Sequence, residues 1–268
     1  TIRIIPLGGV GEIGKAMYVV EIDEEIFIVD SGLMFPENEM LGIDIVIPDV
    51  TYLEENKARI KGIFLTHGHE DAIGSISYLL NKIQAPVYGS RLTIALAKEH
   101  LKELPAAQPV KFFEVTNKSR MNFKSTHVTF FHTTHSIPDS LGIVFHTSEG
   151  AIVHTGEFKF DQAAKGSYRP DIAKMAGLGE EGVFILMSDS TEAERPGYTT
   201  SESVVEEHLS ETFHGAKGRI LVSLYSSNFI RIQQVFDTAI ESRRKVAVVG
   251  KTLETVFEVG KKLDYLQV

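Results

Sequence analysis

The segment Thr66-His67-Gly68-His69-Glu70-Asp71 carries the strongest chemical pattern in the chain. Two imidazoles at i and i+2 follow directly on the apolar run Ile63–Leu65, and a carboxylate stands at i+4. On a loop leaving the end of a strand, that spacing lets His67 and His69 converge on one ion. Asp71, at the start of the helix expected next, can point at a second ion. Cys is 0, so disulfides, iron–sulfur clusters and Cys-built zinc sites are excluded. Any transition metal must rest on carboxylates and on the 10 His. Of these, His100, His127, His146, His208 and His214 lack ligand-like spacing and read as surface or core residues, while His132 and His154 lie beside motif residues. A glycine pattern, Gly9-Val10-Gly11-Glu12-Ile13-Gly14, matches a dinucleotide fingerprint, but that use needs a helix next. The following residues, Lys15–Ile22, read as a strand, so a turn lining a site is expected instead.

The elements that must position these groups follow from the apolar pattern. Short runs rich in Ile and Val, separated by Gly or charged turns, predict strands at Ile2–Pro6, Ala16–Ile22, Glu25–Val29, Ile63–Leu65 and Val87-Tyr88. Further strands are expected at Val110–Val115, Val128–His132, Gly142–His146, Ala151–His154 and Val183–Met187, with helices over about 73–81 and from Ser90 to about His100. After the polar connection Ser188–Gly197 the rhythm changes to alternating helices and strands. Helices are expected over about 201–213, 228–242 and from Thr252, with strands at Arg219–Ser223 and Lys245–Val249. A boundary near 190 is expected, dividing 1–189 from 190–268. The 268 residues carry a formal net charge of −9, which argues against binding nucleic acid by bulk charge but leaves a local basic channel open. No apolar run approaches a membrane span and no signal-peptide pattern opens the chain, so a soluble, cytoplasmic protein is expected.

The His-rich segment resembles the HxHxDH signature of the metallo-β-lactamase fold as it occurs in the ribonuclease J family. The resemblance is collinear along the chain. Val29–Glu37, Gly42–Asp49, His132–Ser140 and His154–Asp161 are similar to successive motifs of that family, and Ser188–Gly197 is similar to the entry into its β-CASP domain. The match is closest to the second, degenerate paralogue found in some Gram-positive bacteria. The resemblance implies an α/β, αββα metallo-β-lactamase fold with part of a β-CASP α/β domain. It implies a first ion held by His67, His69 and His135. It also implies a second ion near Asp71, a carboxylate bridging both from position 157, and Asp30 orienting a ligand by hydrogen bond.

The sequence departs from that pattern. Position 72 is Ala where the signature has His, and a methyl group offers no lone pair. Position 157 is Glu where an Asp is expected, which moves the carboxylate by roughly one C–C bond. The late His of the signature has no counterpart before Val268, inside the second unit. Asp71 and Glu157 are the catalytic candidates, and zinc or manganese at fewer than two tight ions per chain is expected. The resemblance implies metal-dependent phosphodiester hydrolysis on RNA, as a 5′–3′ exonuclease or endonuclease in rRNA processing and mRNA decay, of reduced activity here. The alternative is a non-catalytic subunit that binds RNA and an active paralogue; a small-molecule hydrolase is weaker. The expected partners are RNA, a second copy of the chain and that paralogue, with no membrane. Ser223, Ser226 and Asn228 stand in a polar loop after an expected strand and are candidate substrate contacts. Asp189 and Ser190 are placed to line the cleft between units, and Arg243-Arg244-Lys245 reads as a solvated basic face.

Overall fold

Alternation of apolar side chains dictates two stacked sheets. In the computed structural model, which describes residues 1–268, the strand Met17–Ile22 sends Met17 and Val19 to one face and Val20 and Ile22 to the other. The first sheet has six strands in chain order: β1 (Ile2–Gly8), β2 (Met17–Ile22), β3 (Glu25–Val29), β4 (Ile60–Phe64), β5 (Val87–Gly89) and β6 (Phe112–Glu114). β1–β3 pair antiparallel and β3–β6 parallel. The parallel strands are crossed over by helices, as that geometry requires. These are α1 (Thr51–Glu55), α2 (Glu70–Ile73), α3 (Ile76–Lys82) and α4 (Arg91–Glu103), the last capped by the Ser90 side chain. The helix expected over 73–81 is thus two pieces, broken at Gly74-Ser75.

The second sheet is ordered β11 (Val183–Met187), β10 (Gly150–His154), β9 (Leu141–Thr147), β8 (His127–His132), β7 (Arg120–Asn122). Between the sheets lies an aromatic-rich core in which Phe27 and Phe64 meet Phe130 and Phe145. Helices α1–α4 cover the outer face of the first sheet. Helix α5 (Ile172–Glu181) covers the second through Leu178, which packs with Phe131 and Val153. The order helix, sheet, sheet, helix is the αββα sandwich the resemblance implies.

Residues beyond 190 form α6 (Glu202–Gly215), α7 (Phe229–Glu241) and α8 (Lys251–Lys262). Leu209 and Phe213 of α6 pack on Val235 and Ala239 of α7. Phe229, Ile232 and Val256 join the core that backs the first sheet. The strands expected at Arg219–Ser223 and Lys245–Val249 are not formed. Both segments are without regular structure and make no backbone hydrogen bonds to a neighbouring strand, and they line a common cavity of about 560 Å³. An apolar run becomes a strand only where another backbone pairs with its N–H and C=O groups, and neither segment is so paired. No helix is long and apolar enough to cross a membrane.

Candidate metal centre

The ligand cluster sits where strand ends of both sheets meet. β4 ends at Phe64, and the next turn carries His67 and His69. β8 ends at His132, and its loop carries His135; β10 ends at His154, and its loop carries Glu157. One donor atom from each of His67, His69, His135 and Glu157 lies within 4.8 Å of all the others. The closest pair, His69 Nδ1 and His135 Nε2, is 3.0 Å apart, and Glu157 Oε2 is 3.1 Å from His135 Nε2. Two nitrogens on one tetrahedral ion stand about 3.3 Å apart, so these spacings suit one ion.

His67 is buried and positioned by a short relay. The Thr66 hydroxyl donates to the Asp30 carboxylate at 2.8 Å, and the Thr66 N–H donates to Asp30 at 2.7 Å. With its own proton committed, Thr66 Oγ1 accepts from His67 Nδ1 at 2.9 Å. That leaves the Nε2 lone pair facing the cluster, where it is buried without a hydrogen-bond partner. Asp71 Oδ1, 3.6 Å from it, is likewise buried and unpartnered. Two buried donor atoms without hydrogen-bond partners, 3.6 Å apart among imidazoles and carboxylates, suit a cation. The residues present therefore fit one ion. Asp30 acts on His67 through Thr66, and burial raises its carboxyl to about 7 against the lowering influence of His67 and Thr66.

The electrostatics separate the three histidines. Burial opposes charge on all of them. His67 is nonetheless raised to about 9, because Asp71, Glu157 and Asp30 surround it. His135 is held down at about 3 by burial and by the neighbouring His67 charge, and His69 falls well below its ordinary value for the same reasons. Burial raises Glu157 to about 7, with Asp71 adding to the rise, while His67 holds Asp71 below the usual carboxylate range despite burial. The carboxylates thus call for one positive charge, which His67 supplies as a proton and a metal would supply better.

The residues around position 72 do not fit a second ion. Ala72 is buried in the core with Ile73 and Ile76, and its methyl group donates nothing. The first turn of α2 is also pinned. The Asp71 carbonyl accepts from Ala16 N at 2.9 Å, and it lies so near Gly32 that a Cβ there would sit 1.5 Å away.

Two cavities flank the centre and share Asp71. The smaller, about 420 Å³, is lined by Tyr18, Asp30, His67, Glu157, Asp189 and Ser190, with the Gly9–Gly14 turn as one wall. The larger, about 1140 Å³, is lined by His69, Glu70, His100, Tyr225, Ser226 and Asn228. No Lys or Arg lines either. Ser223 lies elsewhere, in the cavity between the two irregular segments. Tyr18 and Thr66 are not among the sequence candidates, and Ser227 is one only as a member of the polar loop Ser223–Asn228. Tyr18 donates to the Gly9 carbonyl and packs 5.0 Å from the His154 ring, and His69 Nε2 lies 3.3 Å from the Ser227 carbonyl. Thr66 was within reach, as a hydroxyl beside a candidate ligand. A backbone carbonyl leaves no residue-type signal.

A sandwich of this kind, with His and carboxylate side chains gathered at its strand ends, defines a class of folds able to hold a metal ion. Residues 10–201 match the model of the metallo-beta-lactamase superfamily, and residues 217–268 match that of the ribonuclease J beta-CASP domain. The chain is 60% identical over 267 residues to Ribonuclease J 2 of Staphylococcus aureus (strain MRSA252), covering all of this chain and 48% of that protein. Ribonuclease J 2 of Staphylococcus saprophyticus is also 60% identical, with the same coverage. The chain belongs to the metallo-beta-lactamase superfamily and, within it, to the ribonuclease J family. It spans about half the length of the curated relatives it matches. Among solved structures, a protein of unknown function from Enterococcus faecalis V583 superposes with a TM-score of 0.63 at 13% identity. That match covers 88% of this chain and 63% of the other, and speaks for the fold alone.

Proposed function

We propose that this chain is the metal-site portion of a ribonuclease J-like RNA-processing and RNA-decay protein that holds one tight ion and hydrolyses RNA weakly. The observation that carries this reading is the pairing of a complete His67–His69–His135–Glu157 cluster with a buried Ala72 beside it. Zinc or manganese bound there would polarise a phosphate oxygen and lower the pKa of a bound water. The chain's own groups do the rest. Asp30 and Thr66 keep the His67 lone pair turned inward. Glu157 would complete the ligand set, and a cation there would hold its carboxylate ionised against the burial that otherwise raises it to about 7. Asp71 stays ionised and places negative charge on the side where a second ion would sit. A second ion beside Asp71 would find no imidazole at position 72, which would weaken its hold and the charge it could offer a leaving oxygen. Ser226 and Asn228 are proposed substrate contacts on the wall of the larger cavity.

A second reading is a non-catalytic subunit that binds RNA and an active ribonuclease J paralogue; with no Lys or Arg in either cavity, its RNA contacts would lie away from the centre. We take 1–189 as the metal-site unit and 190–268 as part of the second, in a cytoplasmic protein that forms homo-oligomers or pairs with that paralogue. The test is degradation of 5′-monophosphorylated RNA by the full-length protein, alone and mixed with the active paralogue. Slow metal-dependent turnover alone supports the first reading. No turnover alone, with altered turnover by the partner, supports the second. Hydrolysis of a lactam or thioester with none of RNA would overturn both.

A further inference from the structure

We propose that the second unit is the outer anchor of the metal ligands, with the Ser227 carbonyl and the start of α7 fixing His69 and the His135 loop. Metal affinity then depends on how α7 is seated. The inference rests on the reading that His67, His69 and His135 hold the ion.

An imidazole ligand needs its second nitrogen held, because that hydrogen bond sets both the tautomer and the ring orientation. For His67 the partner is local, at Thr66. For His69 it is not. Its Nδ1 faces the cluster, 3.0 Å from His135 Nε2, so the Nε2–H points away from it. There it reaches the Ser227 carbonyl at 3.3 Å, across 158 positions of sequence. Ser136 Oγ lies 3.5 Å from the same nitrogen.

The loop that carries His135 is gripped from the same side. Ile230 N–H donates to the Ser136 carbonyl at 3.3 Å, and the Tyr265 hydroxyl donates to the Asp139 carboxylate. Asp139 adopts a left-handed backbone (φ 56°), so a local turn of uncommon geometry is held by a contact from the far end of the chain. Two of the three imidazoles are thus positioned by residues beyond 190.

What seats those residues is apolar. Phe229, 0% exposed, inserts into the core that backs the first sheet and lies against Gly260 of α8, where a Cβ would come within 2.6 Å of its ring. Asn228 caps α7 by accepting from Arg231 N at 3.0 Å, which fixes the turn presenting the Ser227 carbonyl. Lost outer partners of metal-ligating histidines weaken metal binding about 10–100-fold. Linkage makes the coupling reciprocal: if seating α7 tightens the ion, the ion must tighten α7.

The experiment uses the full-length protein with Zn²⁺ and Co²⁺ as probes. Phe229→Ala is expected to weaken Zn²⁺ binding by about 10–100-fold in calorimetric titration and to change the visible Co²⁺ spectrum, which reports ligand geometry. Tyr265→Phe, which leaves the core filled, is expected to weaken binding less. Leu178→Ala, a core truncation behind the second sheet, is expected to leave both readouts unchanged. In the unaltered protein, Zn²⁺ is expected to slow hydrogen exchange at the amides of Ile230–Ile232. Wild-type affinity and spectrum in Tyr265→Phe and Phe229→Ala, or exchange at Ile230–Ile232 indifferent to Zn²⁺, would overturn the inference while leaving the metal-site reading intact. If Phe229→Ala does not fold, Tyr265→Phe and the exchange measurement decide. An unaltered protein that binds no ion would overturn the metal-site reading itself, and this inference with it.

Discussion

The two sides of the centre meet where the chain turns from β4 into α2 and are equipped very differently. On the His67–His69–His135 side every donor converges, and an outer hydrogen bond holds each of the first two imidazoles: Thr66 for His67, the Ser227 carbonyl for His69. On the Asp71–Ala72 side the backbone is as firmly fixed, through Ala16 and Gly32, yet position 72 sends a methyl group into the core. Rigidity alone does not make a metal site. Lone pairs must point at the ion, and here one side has them while the other has charge without a neutral nitrogen.

The largest effect expected is from removing a ligand on the complete side. His69→Ala should abolish tight binding, more than about 100-fold in Zn²⁺ affinity, since the remaining carboxylates stay unshielded. Calorimetry with the folded variant checks it. Restoring the other side is the next largest. Ala72→His with Glu157→Asp should raise metal content toward two ions and nuclease turnover by at least about tenfold. It should also cost about 1–3 kcal/mol of stability, because position 72 is packed. Thr66→Val should weaken binding about 10–100-fold by freeing the His67 tautomer, with no loss of the second side's charge.

Two smaller effects lie outside the centre and separate its chemistry from general stability. Asp161 accepts from Ser201 Oγ at 2.8 Å and from Glu202 N at 3.0 Å, anchoring the start of α6. Burial raises its pKa, but these bonds outweigh it and hold the carboxyl below its ordinary value. Its stabilisation is therefore complete above about pH 4 and fades as pH falls through the lowered value. Asp161→Asn should lose roughly 1 kcal/mol in thermal melts near neutral pH and flatten the acid dependence. His127 and His146 stack across β8 and β9 with ring centroids 4.2 Å apart. Burial first, then nearby positive charge, depresses both pKa values. Their protonation disfavours the fold, so stability should fall as pH drops below about 6.5. His146→Phe should blunt that slope between pH 7.5 and 5.5.

The contrast also explains what the sequence could reveal. The spacing of His67, His69 and Asp71 is legible because a strand end fixes the geometry of the next few residues. His135 and Glu157 come from other strands, so only a resemblance could nominate them. Most strands of both sheets are legible as short apolar runs, while their αββα layering rests on the resemblance. Arg219–Ser223 and Lys245–Val249 have the same pattern but are not strands, since pairing is a property of the neighbour as much as of the run. Ser223 illustrates the consequence: read as following a strand into the site, it lines a different cavity. Tyr18 sits in an ordinary-looking position whose role appears only when the sheets bring His154 beside it.

The central claim, that one side of this centre binds an ion and the other does not, is tested most directly by counting metal. Full-length protein, saturated with zinc or manganese and passed through a desalting column, should retain about one equivalent per chain by elemental analysis. Two tightly held equivalents would contradict the account.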